Sequence, residues 1–423
     1  MKKQIVLLVI IISGLLLAQS PTTLTLEYCQ DKARENYPLT KQFELLQSAN
    51  KLKLRNLTSK WLPKLKISGQ TMYQSDVTSF PIQIPGISIP EVDQEVQKVT
   101  FDVSNTLYDG GLTHRQKLLD RASLSVDQQN IEVELYKLRE QINQIYFNAL
   151  LLQENENRIN ILKDEIESRI KIVESSVRNG LALQSNADVM QAELVKIEQQ
   201  ILEIVFSKQA AFEMLSEYID QPIIYETVLT GSVINTVSDE PSLLRPELKL
   251  MSLQMQKLDA SRSLLTAKVL PHLVVFGQLG YGKPGLNMFS NELNDFYIIG
   301  LKINWTPWNW RRTHNDRQWI DLQKNIVQTQ KSTLEQNIRI LLKKDIAEIN
   351  KYKSMILKDD EIIALRKKIT STSSAQLDNG IITATDYLIE LNAETQAQLN
   401  KQLHIIQLAK AKANYQFDYG IKE

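Results

Sequence analysis

Leu112–Arg178 reads LTHRQKLLDRASLSVDQQNIEVELYKLREQINQIYFNALLLQENENRINILKDEIESRIKIVESSVR, without one proline or glycine. Leucine, isoleucine and valine recur among Glu, Lys, Gln and Asn, which predicts one very long helix. At a rise of 1.5 Å per residue it would span roughly 100 Å. A short break is expected near Glu154–Asn157, where polar residues cluster. Asn179-Gly180 closes the stretch, because glycine accepts the left-handed backbone that caps a helix. A return helix is expected from about Asn186 to Glu217. Charged residues recur every few positions, so this stretch is not a membrane span. Its apolar stripe suits packing against a neighbour, with a polar side left for water.

The same plan recurs about 200 residues later. Asn379-Gly380 repeats Asn179-Gly180, and Asp386 repeats Asp188. Pro271 and Leu273 repeat Pro63 and Leu65, and Asn309-Trp310-Arg311 is a weaker echo of Asp109-Gly110-Gly111. Arg311 to about Ser374 is the second long helix, and the chain returns over about Thr383 to Tyr415. A repeat of this length is a duplicated structural half rather than a solenoid unit. The halves are expected at residues 19–240 and 241–423.

Ahead of each long helix the period changes. Leu24 to Lys60 is helical, divided by Pro38; Ser242 to Lys268 is its counterpart. Leu65, Ile67, Gly69, Thr71 and Tyr73 then alternate with Lys66, Ser68, Gln70 and Met72. Val99, Phe101, Val103 and Leu107 alternate with polar residues, with Asn105 blemishing the apolar face. Pro81, Pro85 and Pro90 mark a loop between these two strands. His272 to Tyr281 and Tyr297 to Thr306 are the second-half strands. Period two gives each strand one apolar and one polar face.

A strand pair with an apolar outer face can enter lipid only as part of a closed barrel. Strands of about 9 to 11 residues suit an outer membrane, and the smallest barrels of this kind use about eight strands. One chain supplies only four, so the barrel must close between chains. The long helices are then the walls of a hollow cylinder in an aqueous compartment. A soluble coiled-coil scaffold is the alternative, but it has no need of the alternating strands.

Lys2 and Lys3 precede the apolar run Ile5–Leu17, which is too short for a membrane-spanning helix. Residues 1–18 are therefore expected to be a secretory signal peptide. The chain carries 49 basic and 49 acidic residues, which leaves no broad positive footprint for nucleic acid. Its single cysteine, Cys29, cannot form an internal disulfide.

Taken in order, these residues resemble the trimeric outer-membrane efflux factors, the TolC-like family. Leu244-Arg245-Pro246-Glu247-Leu248 resembles the family's RPEL signature. Trp61-Leu62-Pro63-Lys64-Leu65 and Leu270-Pro271-His272-Leu273 resemble its passages from helix to strand. Leu107-Tyr108-Asp109-Gly110-Gly111 resembles its passage from strand to helix. Asn379-Gly380 with Asp386-Tyr387-Leu388 resembles its helical-tip motif. The likeness spans nearly the whole mature chain.

The resemblance implies a mixed α and β channel-tunnel. As a homotrimer it would have a 12-stranded β-barrel in outer-membrane lipid, continuous with a long periplasmic α-helical barrel. It further implies a passive conduit that receives small molecules from an inner-membrane efflux pump or ABC exporter through a periplasmic adaptor protein. An outer-membrane channel of a type I protein secretion system has the same architecture and is the alternative. Neither reading makes the chain an enzyme or gives it a cofactor.

By the same resemblance, the turns at Asn179, Gly180, Asn379 and Gly380 lie at the periplasmic tips. Asp386 would form a ring of like charges at the aperture, favouring cations; a helix-terminal cap is its alternative role. The family often has a second aspartate three residues on, where this chain has Ile389 followed by Glu390. Asp188 is the partner position in the first half, although its spacing from the turn is longer. Arg178 would hold the closed tip or meet the adaptor, unless it is a solvated helix end. Arg245, Pro246 and Glu247 read as architectural: proline suits a first helical turn, and Glu247 suits the positive end of the helix dipole. Trp61, Trp305, Trp308 and Trp310 gather where strands meet helices, as interfacial aromatics do, or as packing residues would.

Two patterns carry no chemistry. Gly280-Tyr281-Gly282-Lys283-Pro284-Gly285 fits a dinucleotide-binding glycine pattern, but no helix opens from it. His114, His272, His314 and His404 lack metal-ligand spacing.

Overall fold

The computed structural model describes residues 23–78, 92–231 and 243–420. The expected signal peptide, the loop prolines Pro81, Pro85 and Pro90, and the boundary at residues 240 and 241 lie outside the described residues.

In chain order the elements are β1 (Thr23–Leu24), α1 (Leu26–Asn36), α2 (Gln42–Thr58), β2 (Lys64–Tyr73), β3 (Glu95–Tyr108), α3 (Leu112–Arg178) and α4 (Gln184–Ile219). There follow β4 (Val228–Leu229), α5 (Pro246–Ala267), β5 (His272–Lys283), β6 (Asn294–Asn304), α6 (Arg312–Asp378) and α7 (Ala384–Tyr419). Pro38 divides the first helical segment as expected, opening a short 3-10 turn over Pro38–Lys41. Helices α3 and α6 have 67 residues each, and α4 and α7 have 36 each. Leu112 and Arg312 stand 200 positions apart, as do Gln184 and Ala384. None of the described helices is long and apolar enough to cross a membrane.

The break expected near Glu154–Asn157 does not occur: α3 is continuous. The polar residues there serve neighbours instead. Gln153 donates from Nε2 to the Leu229 carbonyl, and its Oε1 accepts the Leu229 N–H. Glu156 accepts from Lys208 Nζ at 2.9 Å and from the Tyr225 hydroxyl at 2.6 Å. Glu154 accepts from Gln402 Nε2. Strands β1 and β4 form a two-residue parallel pair, too short to leave a periodic signal.

The chain divides into two compact units, residues 1–42, 130–249 and 332–423, and residues 43–129 and 250–331. In the first, Ile142, Tyr146 and Phe147 of α3 meet Phe212 and Leu215 of α4 and Cys29 of α1. Burial pushes the Cys29 thiol up to about 12, so it behaves as a small apolar side chain. A second cluster joins Ile159 and Ile166 of α3, Met190 and Ile197 of α4, and Tyr387 and Leu391 of α7. Each fully buried side chain of this size stabilises the fold by about 1.5–3 kcal/mol.

The second unit holds a four-stranded antiparallel sheet in the order β2-β3-β5-β6. Strand β6 begins earlier and ends two residues sooner than its alternation suggested. Asp109 caps α3: its carboxylate accepts the N–H of Gly111 at 2.9 Å and of Thr113 at 2.7 Å. These bonds hold the Asp109 carboxyl below its ordinary value despite the opposing effect of burial.

Candidate functional site

Three regions contain the residues singled out by sequence. The first is the sheet. Pairing places Leu65 beside Val103, Gly277 and Ile299 in one row across the four strands. The next row is Ile67, Phe101, Leu279 and Tyr297. Ile67 is 75% exposed and Ile299 76%, and Leu65, Leu279, Tyr297, Leu301 and Ile303 are also exposed. The chain thus leaves a whole apolar sheet face open, far beyond the scattered apolar residues normal on a protein surface.

The opposite face is mostly polar along β2 and β3 and mixed along β5 and β6. Lys66, Asp102 and Gln278 share a row, and Gln278 Nε2 donates to Asp102 Oδ1 at 2.6 Å. Two phenylalanines on this side lie over glycines of the adjoining strand: Phe296 opposite Gly280, and Phe276 opposite Gly300. A Cβ at Gly280 would stand 2.0 Å from the Phe296 ring, so the ring occupies the space of the missing side chain. The glycine pattern at 280–285 is accordingly sheet packing; Gly282 lies against the backbone of Gln97 and Lys98.

The second region is the pair of helical turns. Gly180 and Gly380 have φ of 73° and 69°. Leu181 N–H bonds the Ser176 carbonyl and Gly180 N–H bonds that of Val177. Ile381 and Gly380 repeat both bonds with Gln376 and Leu377, completing the same Schellman cap. The Asn379 amide donates to the Ala375 carbonyl. Leu181 and Ile381, which such caps usually tuck in, are 77% and 70% exposed.

Asp386 completes a capping box. Its carboxylate accepts the Thr383 N–H and O–H, and its N–H donates to Thr383 Oγ1. The Thr383 hydroxyl, then its N–H, holds the Asp386 carboxyl below its ordinary value. The pairing of Asp188 with Asp386 is corrected by the helix starts: with Gln184 matching Ala384, Asn186 stands where Asp386 does, and Asp188 matches Leu388. Asn186 Oδ1 accepts the N–H of Ala384 at 3.4 Å, linking the two turns. Asp188 accepts from Gln184 Nε2 within its own helix. Glu390 pairs with Arg366 at 3.0 Å. Arg178 is exposed.

A clasp absent from the sequence reading lies above the turns. Arg169 of α3 pairs with Asp378 of α6 at 2.7 Å and also bonds Ser374. Its guanidinium lies 4.9 Å from the ring of buried Tyr387, whose hydroxyl donates to Glu165 at 3.1 Å. The partners are some 200 positions apart, so no local pattern announces them.

The third region surrounds Arg245. Pro246 opens α5. The Arg245 guanidinium grips Glu247 through two N–H groups at 3.1 and 2.7 Å and reaches Asp418 at 3.0 Å. It lies against the stacked rings of Tyr136 and Phe417. No group of three metal-ligating side chains occurs among the described residues.

No family model and no curated protein matches the sequence. Solved structures do. The outer membrane protein VceC of Vibrio cholerae aligns over 93% of this chain and 96% of its own, at 13% identity and a TM-score of 0.68. CusC, studied for folding and transmembrane channel formation, aligns over 93% and 92% at 11% identity and a TM-score of 0.71. The CmeC outer membrane channel of Campylobacter jejuni aligns over 93% and 85% at 15% identity and a TM-score of 0.65. The long helical hairpins and the antiparallel strands expected from sequence are present, and this chain has the fold of VceC, CusC and CmeC.

Proposed function

We propose that the chain is one subunit of a passive outer-membrane conduit, with its sheet in the membrane and its long helices in the periplasm. The carrying observation is the open apolar face, continuous across four strands of 10 to 14 residues. In water such a face is a liability; in lipid it is the required surface. Strands β2 and β6 form the sheet's outer edges. Lipid does not tolerate unpaired edges, so each must be completed by another copy. Three copies would close a barrel of twelve strands, the number that the family resemblance implies. The matched lengths of the two helical hairpins support an ancestral duplication.

The conduit would export small molecules delivered by an inner-membrane pump through a periplasmic adaptor. Asp386 would contribute a carboxylate from each copy at the aperture. Its capping bonds leave it exposed and ionised, as such a ring requires. The test is reconstitution of the purified protein in planar bilayers. Discrete conductance steps are expected, and Asp386→Asn should change cation preference or divalent block. Absence of conductance overturns the conduit; conductance with unchanged selectivity overturns only the aspartate ring.

A further inference from the structure

The two faces of the sheet differ in charge as well as in polarity. Strand pairing puts Lys64 and Lys66 of β2, Lys98 of β3 and Lys302 of β6 on the same side as Asp102. That face therefore shows four lysines against one carboxylate, although the whole chain balances 49 basic with 49 acidic residues. On the apolar face the charged residues of the paired strands are Glu95, Lys283 and Asp295, and Lys283 pairs with Asp93 at 2.8 Å.

The lysines of the polar face are not neutralised by the chain's own acids. Asp102 accepts from Gln278 Nε2 at 2.6 Å and from the Thr100 hydroxyl at 3.1 Å. Lys98 lies over the Phe296 ring, 4.5 Å from its centre. Lys64, Lys66 and Lys302 are exposed and have no ion-pair partner among the described residues.

These three lysines occupy successive rows of the face. Lys66 shares a row with Asp102, Lys64 with Ser104, and Lys302 with Val274 and Thr106. At two residues per step, the three rows cover roughly 14 Å at the end of the sheet where β3 passes into α3. All three stand on the edge strands β2 and β6. Closing the sheet between copies brings β6 with its lysine alongside β2 with its pair. Like charges gathered on neighbouring strands cost stability, and an anion among them removes that cost.

We propose that this face is a basic belt inside the conduit, and that the cargo it selects is anionic: solutes bearing carboxylate or phosphate groups, met by Lys64, Lys66 and Lys302. The proposal rests on the conduit reading above, in which the face opposite the lipid lines the passage. Rings of lysine or arginine are the device by which a pore favours anions, because each ammonium offers three donors and a full positive charge. The belt and the aperture carboxylates belong to different compact units, so altering the lysines tests the belt alone.

The test uses the full chain in planar bilayers of phosphatidylcholine at low salt, with tripolyphosphate added to one chamber and then to the other. The neutral lipid keeps headgroup phosphate from mimicking a site on the protein. Tripolyphosphate should lower the conductance from at least one side, and added salt should relieve the block. Lys64→Gln, Lys66→Gln and Lys302→Gln together should weaken the block by about tenfold or more, as expected for loss of charge-assisted hydrogen bonds. Arginine at the same three positions should retain it. Conductance of the unaltered protein that tripolyphosphate leaves unblocked overturns the belt and leaves the conduit standing. A block of undiminished strength in the glutamine variant does the same. Absence of conductance in the unaltered protein overturns the conduit, and the belt with it.

Discussion

At the scale of single residues, Asp345 carries the clearest pH dependence. It is 3% exposed, and its carboxyl hydrogen-bonds that of Asp418, which also accepts from Arg245. Two carboxyl groups bond to each other only when one holds a proton. Burial, then the Asp418 charge, pushes Asp345 up to about 7, with Glu348 adding to the shift and Lys344 opposing it. Glu140 acts on Asp418 in the same sense that Arg245 opposes. The folded chain thus keeps a proton that the unfolded chain releases near 3.8. This contribution to stability is complete below about pH 4 and is lost as pH rises through about 7. Melting temperatures taken between those limits should fall with pH, and Asp345→Asn should flatten the profile.

The two glycines that open α3 should differ in their tolerance of a side chain. Gly111→Ala meets no atom within 4 Å, so it should cost only the left-handed backbone, about 1 kcal/mol. Gly110→Ala would place its Cβ 2.7 Å from that of Leu270 and should cost clearly more in denaturant melts. The sequence disclosed this turn well, because paired glycines after an aspartate have few other uses. It offered a helix-terminal cap as one role for Asp386, and that cap is present, but it misled on the pairing of Asp188, since two aspartates can be matched by type while standing two positions out of step. Asn186, the true counterpart, looked like any other polar residue.

Among the elements, long stretches free of proline and glycine were legible as helices, and period two was legible as strands. What failed was the inference from local polarity to a helix break at Glu154–Asn157. Polar residues in a helix interrupt it only when water is their best partner; here the partners are β4, Lys208 and Tyr225. Gln153→Ala should therefore destabilise the chain by about 1–3 kcal/mol, because both the N–H and the carbonyl of Leu229 lose their bond. Amide exchange at Leu229 should accelerate with it. The clasp of Arg169 on Asp378 and Tyr387 was invisible for a related reason: contacts across some 200 positions leave no periodic trace.

For the whole molecule, the two long helices are alike in length and unlike in burial. Helix α3 buries Ile131, Leu135, Ile142, Tyr146, Ile159 and Ile166 within the chain. Helix α6 buries Ile320, Ile338 and Ile349 but leaves Leu322, Ile340, Leu357 and Leu365 exposed. In the proposed assembly a second copy would cover that surplus. Light scattering of the detergent-solubilised protein should give the mass of three chains, and Leu357→Glu with Leu365→Glu should shift it toward one. A single-chain mass for the unaltered protein would contradict the proposed assembly.

The equal hairpins place a constraint on how this protein can change. Their turns are tied side by side through Asn186 and Ala384, each at the end of a 67-residue helix. Deleting two helical turns from α3 alone would set its tip back by roughly 11 Å, pulling Asn186 out of reach and moving Arg169 out of step with Asp378. A shortening survives only if α4, α6 and α7 lose the same length at the same height. Viable insertions and deletions should therefore arrive in matched sets, and the hairpin length behaves as a ruler that lineages can reset only by editing all four segments together.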